Sequence, residues 1–235
     1  MSAWRSFRES LEIGAHRPLL VRRERLTPMK LGRRILFASD LHLHRDGPGH
    51  IVEGLLDIVL HEHPDVILLG GDLVDWRTGL PALREIVSSM VAVAPVAAIG
   101  GNHDRWVGLT RVREAVREGG GHWLEDEPLL WAPGAAVYGS PESQRLRAEC
   151  HILCSHHPRP VASHHRFDLV LSGHIHGGQF VFFEHNGRLY PGAFLYRWNG
   201  LRFHENGTTL LVSRGVRDTF PLRWNCPREV IVVDL

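Results

Sequence analysis

Short apolar runs alternate with amphipathic stretches in the first half of the chain. Three runs have the length of buried strands: Ile35–Ala38, Val66–Leu69 and Val96–Ile99. Three stretches carry apolar residues at helical spacing, at residues 50–63, 80–93 and 109–118. This β-α-β-α-β-α order predicts parallel strands joined by right-handed crossovers, and therefore an α/β fold.

The second half is predicted to consist mainly of short strands. The Asn186-Gly187 turn between Phe180–Phe183 and Arg188–Tyr190 indicates a hairpin. Further short apolar runs are expected to be strands: Ala135–Tyr138, His151–Cys154, Leu169–Leu171, Thr208–Ser213 and Glu229–Val233. We find no internal repeat and no linker, so residues 35–235 are predicted to form a single domain.

Residues 1–34 form a basic arm, in which nine Arg and Lys residues face three Glu residues. An edge strand is expected around Leu19–Leu26. Trp4, Phe7 and Leu11 recur at helical spacing, which favours a short amphipathic helix over the first dozen residues. Such a helix would make a peripheral contact with an anionic membrane, where each basic residue contributes about 1 kcal/mol. A solvated arm is the alternative.

Composition and charge narrow the function classes. The chain has 235 residues and a formal net charge of +1, so no specific nucleic-acid binding is expected from its overall field. Its three cysteines form no Cys-x-x-Cys pair, which argues against a disulfide framework or a zinc knuckle. The sequence contains neither an apolar run of about 18 residues nor an apolar signal core. A cytoplasmic location is therefore predicted, with the basic arm as a means of binding the inner face of the membrane.

Clusters of Asp, Asn and His directly follow five of the apolar runs: Asp40-Leu41-His42, Asp72, Asn102-His103-Asp104, His156-His157 and His174-Ile175-His176. Residues after parallel strands meet at one edge of a sheet, where ligands bind. In Asp40-Leu41-His42 and His174-Ile175-His176, alternate residues of an extended segment would point the same way. The chain also has 17 His, the commonest transition-metal ligand. The clusters are therefore predicted to converge on a metal site.

The order of these blocks resembles the calcineurin-like metallophosphoesterases, whose pattern is Asp-x-His, Gly-Asp-x-x-Asp, Gly-Asn-His-Asp/Glu, a lone His and Gly-His-x-His. The resemblance implies a two-sheet α/β sandwich flanked by helices. It also implies two metal ions, of which Asp40, His42 and His176 hold the first and Asn102, His156 and His174 hold the second, with Asp72 as the bridge. The mixed oxygen and nitrogen set suits Mn, Fe or Zn better than Mg or Ca. Asp75 is expected to be structural.

Such a centre predicts hydrolysis of a phosphoester by in-line attack of a metal-bridging hydroxide, without a covalent intermediate. His103 lies beside the ligand Asn102 and is the candidate acid for the leaving group, with Asp104 expected to orient its imidazole. Because every ligand position is filled, a non-catalytic scaffold with the same fold is the weaker alternative.

Longer motifs resemble the bacterial YkuE-like branch of the family: Gly173–Gln179, Val212–Val216 and Asn225-Cys226-Pro227. That branch implies a phosphodiesterase acting on a small or lipid-linked substrate. A pyrophosphohydrolase acting on a UDP-diacylglucosamine-type lipid precursor is the alternative. Arg105, Trp106 and Arg214 are predicted substrate contacts, because Arg suits phosphate and Trp suits a base or a lipid chain. Packing at the edge of the sheet is the other explanation for them.

Overall fold

The computed structural model describes residues 10–26, 31–44, 49–158, 167–218 and 220–235. The helix predicted over the first dozen residues falls largely outside these ranges, and Leu11, its last apolar residue, begins a strand. The strands, in chain order, are β1 (Leu11–Ile13), β2 (Leu20–Arg25), β3 (Arg34–Ala38), β4 (Val66–Gly70), β5 (Val96–Ile99), β6 (His122–Trp123), β7 (Leu129–Ala132), β8 (Ala135–Tyr138), β9 (Cys150–Cys154), β10 (Leu169–Ser172), β11 (Val181–His185), β12 (Arg188–Pro191), β13 (Arg202–Glu205), β14 (Thr208–Val212), β15 (Leu222–Trp224) and β16 (Glu229–Asp234). The α-helices are α1 (Gly49–Glu62), α2 (Leu80–Val91), α3 (Asn102–Val107), α4 (Leu109–Glu118) and α5 (Gly192–Leu195).

Twelve of the strands form two six-stranded mixed sheets, and β1 pairs with β15 and β11 with β12 in two-stranded sheets. The first has the order β2-β16-β3-β4-β5-β6, in which β3 to β6 are parallel and β16 runs antiparallel to β3. The second has the order β13-β14-β10-β9-β8-β7, in which β14, β10, β9 and β8 are parallel. Strand β2 lies at the edge of the first sheet, in the range where the sequence predicts an edge strand.

The two sheets pack face to face because successive residues on each strand point to opposite sides. Ile35 and Phe37 of β3 lie in the core between the sheets, together with residues of the second sheet such as Ile152. Leu36 and Ala38 point the other way and pack against helices α1, α2 and α4. The predicted two-sheet α/β sandwich flanked by helices is confirmed.

Several elements were not predicted from the sequence. Helix α3 begins at Asn102, within one of the predicted ligand clusters, where the sequence predicts no helix. Strand β13 is largely exposed, and its sequence Arg-Phe-His-Glu has a single apolar residue, so it carries little strand signal.

The boundary at residue 34 remains a prediction, while β1 and β2 of the arm pair with β15 and β16 near the C-terminus.

Among the described residues, no helix has both the length and the apolar character needed to cross a membrane.

Candidate metal centre

Parallel strands of both sheets deliver the predicted ligands to one place. Asp40 follows β3, Asp72 follows β4 and Asn102 follows β5 in the first sheet. His156 follows β9 and His174 follows β10 in the second sheet. The site therefore lies at the carboxyl ends of strands from two sheets, the position expected for a ligand site in an α/β fold.

Five of the seven predicted ligands have left-handed backbone conformations, which are rare for residues other than glycine: Asp40 (φ 58°), His42 (φ 43°), Asp72 (φ 51°), His174 (φ 72°) and His176 (φ 52°). The expected extended geometry is therefore wrong for both Asp-x-His and His-x-His. Each such residue costs on the order of 1–3 kcal/mol, and this kind of strain concentrates at functional sites. Loop hydrogen bonds hold the conformation; the N–H of His42, for example, donates to the carbonyl of Asp72 at 3.0 Å.

Two glycines in the motifs are required by close approach. A Cβ on Gly101 would lie 2.1 Å from Oδ1 of Asp72, and a Cβ on Gly173 would lie 2.5 Å from Oδ2 of Asp40. Neither position tolerates a larger side chain without moving a predicted ligand. Gly101 thus makes room for the carboxylate that follows β4, and Gly173 makes room for the carboxylate that follows β3.

The residues predicted for the first ion form a compact, mostly buried group. Ligand atoms of Asp40, His42 and His176 all lie within 4.8 Å of one another. The Nε2 atoms of His42 and His176 are 3.4 Å apart, and Nε2 of His176 is 3.6 Å from Oδ1 of Asp40. Three donors therefore face a common point.

Two carboxylates orient the imidazoles of this group. Nδ1 of His42 donates to Oδ1 of Asp75 at 2.6 Å, and Nδ1 of His176 lies 3.2 Å from Oδ1 of Asp218. Each ring is thereby held with Nε2 toward the site, as is usual for a metal-ligating histidine. Burial lowers the pKa of His42, but the neighbouring Asp75 and Asp40 outweigh this and hold the pKa above its ordinary value. Sequence reasoning assigned neither Asp75 nor Asp218 this role.

The residues predicted for the second ion surround His156. Its Nε2 is 3.0 Å from Oδ1 of Asn102 and 3.2 Å from Oδ2 of Asp72, and its Nδ1 donates to the carbonyl of Gly70 at 2.9 Å. The backbone N–H of His174 donates to Oδ1 of Asp40 at 3.1 Å, which ties this half of the site to the first.

The pKa values of the three titrating residues in this half are shifted in different directions. Burial would raise the pKa of Asp72, but its hydrogen bond with His156 lowers it far below its usual range, so the carboxylate is ionised at neutral pH. Burial lowers the pKa of His156, and Asp72 and Asp40 more than offset this, raising it to about 9. Burial, with His157 and His156 nearby, lowers the pKa of His174 to about 4. At neutral pH His174 is therefore uncharged and has a lone pair for a cation.

His157 lies close to the predicted ligands His156 and His174, although it was not predicted to be a ligand itself. Its ring centroid is 3.9 Å from that of His174, and ligand atoms of His156, His157 and His174 lie within 4.8 Å of one another. The adjacent His156-His157 pair was visible in the sequence, but only the packing of β9 beside β10 shows that His157 reaches this cluster.

The donor set fits transition-metal ions. Asp40 and Asp72 are 0% and 2% exposed, and buried carboxylates are as a rule paired with a positive group or bound to a metal ion. Carboxylate, imidazole and amide together suit Mn, Fe, Zn or a similar ion.

His103 lies beside this group, but its orienting partner differs from the prediction. Its Nδ1 donates to Oδ1 of Asp75 at 2.8 Å, the same oxygen that accepts from His42. Asp104 is fully buried and accepts backbone N–H groups of Leu73, Val74 and Gly101. The prediction that Asp104 orients His103 is therefore wrong, because the carboxylate of Asp104 is used to join the loop after β4 to the start of α3.

The predicted substrate contacts lie in different environments. Arg214 is buried and donates through Nε and Nη2 to Oε2 of Glu229, so the prediction that it contacts substrate is wrong: its guanidinium is engaged in an internal ion pair. Arg105 is exposed and lines a polar cavity of about 640 Å³ beside Asn102. Trp106 is 76% exposed, and its ring centroid is 4.5 Å from that of His103.

Comparisons with known proteins agree with this geometry. The family model of the calcineurin-like phosphoesterases matches residues 33–178. The chain is 28% identical to phosphodiesterase YaeI of Escherichia coli, covering 86% of this chain and 82% of that protein. It is 26% identical to an uncharacterized metallophosphoesterase of Aquifex aeolicus, covering 86% and 84% of the two chains. The crystal structure of TT1561 from Thermus thermophilus aligns with a TM-score of 0.48 and 16% identity, covering 78% of this chain and 90% of that one.

The matched region contains the blocks after β3, β4, β5, β9 and β10, so the family model and the structural site cover the same residues. The chain belongs to the calcineurin-like phosphoesterase family and is a metal-dependent phosphoesterase.

Proposed function

We propose that the protein is a dinuclear metal-dependent phosphodiesterase that cleaves its substrate by in-line displacement, with His103 protonating the leaving group. The observation that carries this proposal is the shared oxygen of Asp75, which orients both the predicted ligand His42 and the predicted acid His103. One carboxylate thus sets the distance between the metal group and the proton donor. The similarity to a phosphodiesterase of Escherichia coli supports the preference for diesters.

The residues that would hold the ions divide as the family pattern implies. Asp40, His42 and His176 would bind the first ion, and Asn102, His156 and His174 the second. Asp72, whose two oxygens face His156 and the start of α3, would bridge them. Bound ions of this kind activate water and neutralise phosphate charge in the transition state.

His103 is placed to act as a general acid. Its Nδ1–H is engaged by Asp75, so the proton for the leaving oxygen would be carried by Nε2. Its side chain remains 18% exposed, which allows contact with a substrate. Asp104 would act indirectly, because its bonds to the backbone of Leu73, Val74 and Gly101 keep Asp72 and His103 at a constant separation.

A pyrophosphohydrolase acting on a UDP-diacylglucosamine-type lipid precursor is the second candidate. It is favoured by one observation, an apolar cavity of about 660 Å³ that adjoins Asp75 and His103. The same metal group and acid would serve both reactions, since the walls of the site select the substrate.

The test is hydrolysis of bis(p-nitrophenyl) phosphate and of p-nitrophenyl phosphate by the purified full chain, after removal of metal with EDTA and after addition of Mn²⁺, Fe²⁺ or Zn²⁺. We expect turnover of the diester that exceeds turnover of the monoester and disappears on metal removal. Turnover of the monoester alone would contradict the preference for diesters. Two bound metals with neither substrate hydrolysed would favour the pyrophosphate alternative.

A further inference from the structure

Residues of the proposed site line two cavities of similar size but different character. One has a volume of about 660 Å³ and is lined by Asp75, Trp76, His103 and Trp106 among others. The other has a volume of about 640 Å³ and contacts Asn102 and His156. His103 lines the first cavity, and Asn102 and His156 line the second. The candidate acid therefore lines a different cavity from the one beside Asn102 and His156.

Most of the surface of the cavity beside His103 is apolar, although Arg77 and Thr78 also line it. Trp76 and Trp106 are 68% and 76% exposed, although large aromatic side chains of a folded protein are usually covered. They flank the two residues of the acid pair in the same cavity, and the Trp106 ring packs directly on His103. Two open indole faces beside a proton donor can cover an apolar or aromatic group.

The second cavity is polar and carries both signs of charge. It is lined by Arg105, Glu125, Glu142, Ser155 and His157. Such a wall offers hydrogen-bond donors and acceptors, and it suits a hydroxyl-bearing substituent better than a hydrocarbon.

In-line displacement links this asymmetry to the bond that breaks. The attacking water and the leaving oxygen stand on opposite sides of phosphorus, and the acid must be within hydrogen-bond reach of the leaving oxygen. If His103 is the acid, the alcohol that departs is the one lying in the cavity that His103 lines. The other alcohol remains attached to phosphorus.

We propose that the groove formed by Trp76 and Trp106 binds the leaving alcohol, and that the substrate is an asymmetric phosphodiester of an apolar or aromatic alcohol and a polar, hydroxyl-bearing alcohol. Water adds its oxygen to phosphorus, the bond between phosphorus and the apolar alkoxide breaks, and His103 gives that alkoxide its proton. The products are the free apolar alcohol and the phosphate monoester of the polar alcohol, and the proton released by the attacking water restores His103. This inference rests on the proposed function.

The experiment uses a mixed diester of glycerol and 2-(2-naphthyl)ethanol, two primary alcohols of similar acidity, with products separated by chromatography and mass spectrometry. In ¹⁸O-labelled water the wild-type protein should place the label on glycerol phosphate and release naphthylethanol. We expect this product pair to exceed the reverse pair by about tenfold or more, because the groove would bury several apolar carbons.

Variants at Trp76 test the groove itself. Trp76→Ala should lower the product ratio by about tenfold, and Trp76→Phe should restore most of it, since an aromatic face is retained. Leu60→Ala is the matched control: Leu60 is 53% exposed on helix α1, away from both cavities, and its replacement should leave the ratio unchanged.

The outcomes separate the inference from the proposed function. Release of glycerol as the main alcohol, or a ratio that Trp76→Ala does not change, would overturn the inference while diester hydrolysis stands. Cleavage of bis(p-nitrophenyl) phosphate without cleavage of the mixed diester would also overturn it. Absence of any diester hydrolysis with bound metal would instead overturn the proposed function.

Discussion

The two halves of the candidate metal centre are oriented by different means. In the half of Asp40, His42 and His176, carboxylates of Asp75 and Asp218 hold the far nitrogens of both imidazoles. In the other half, the far nitrogen of His156 donates to a backbone carbonyl, that of Gly70. A carboxylate partner raises the basicity of a ligating imidazole more than a neutral carbonyl does. The first half is therefore expected to bind its ion more tightly.

The two halves also differ in the residues that surround them. Asp218 also pairs with the buried side chains of Arg223 and Arg228, with closest N–O distances of 2.5 and 2.7 Å. These contacts hold the first half in a rigid ionic network. In the second half, Asn102, His156 and the neighbouring His157 line the polar cavity. The first half is thus tied to an internal ionic network, and the second half borders the polar cavity.

The largest effect is expected from Asp72→Asn, which removes the carboxylate proposed to bridge the two halves. Loss of the bridging charge should lower the affinity for both ions and reduce turnover by about 10³-fold or more, since charge stabilisation by the metals is worth several kcal/mol. Metal content by mass spectrometry of the desalted protein, measured beside diester turnover, checks this. Asp57→Asn on helix α1, where Asp57 is exposed, is the matched control and should change neither quantity. Retention of both ions with normal turnover would contradict the bridging role.

The next effect is that of His103→Ala, which should leave the metal content of both halves unchanged. Turnover should fall by roughly 10²–10⁴-fold for diesters of poorly acidic alcohols, because their leaving oxygens need the proton most. Diesters of p-nitrophenol should lose much less. The measurement is a plot of rate against the acidity of the leaving alcohol for both proteins, and parallel lines would exclude His103 as the acid.

Asp218→Asn should weaken metal binding in the first half of the centre alone. Without the carboxylate beside its Nδ1, His176 loses its orienting partner, and the affinity for one ion should fall by about 10–100-fold while the other ion is retained. Titration of the metal-free protein with Zn²⁺ by calorimetry would show the loss of one of two binding steps.

This substitution also leaves Arg223 and Arg228 without their shared carboxylate, which can cost on the order of 3–5 kcal/mol in unfolding free energy. Circular dichroism must therefore confirm folding at the temperature of the titration. Equal weakening of both binding steps would mean that Asp218 acts on the whole fold and not through His176.

The smallest effect is expected from His157→Gln. Asp72, Asn102, His156 and His174 remain to hold the second ion, so its affinity should fall by less than about tenfold. His61→Gln, at an exposed position of helix α1, is the matched control. A decrease well above tenfold, confined to the second ion, would identify His157 as a direct ligand and make the second half as fully coordinated as the first.

The sequence by itself determined most of the sandwich and the metal group. Strands such as Val96–Ile99 and helices such as Leu109–Glu118 carry local signals, namely apolar period and breaking glycines, and these signals predicted their bounds. The seven predicted ligands stand in short motifs whose order is independent of distant contacts, and the structure brings them together at one end of the two sheets.

Only the tertiary structure decided which groups support those ligands. Asp75 and Asp104 are both acidic residues next to motif blocks, and nothing local shows that the first reaches His103 while the second binds backbone N–H groups across the loop. Asp218 approaches His176 from 42 residues further along the chain, and Arg214 is neutralised by Glu229. Such pairings depend on how β10, β14 and β16 are arranged in the fold. The sequence around a side chain does not show which distant charged residue will lie beside it in the interior.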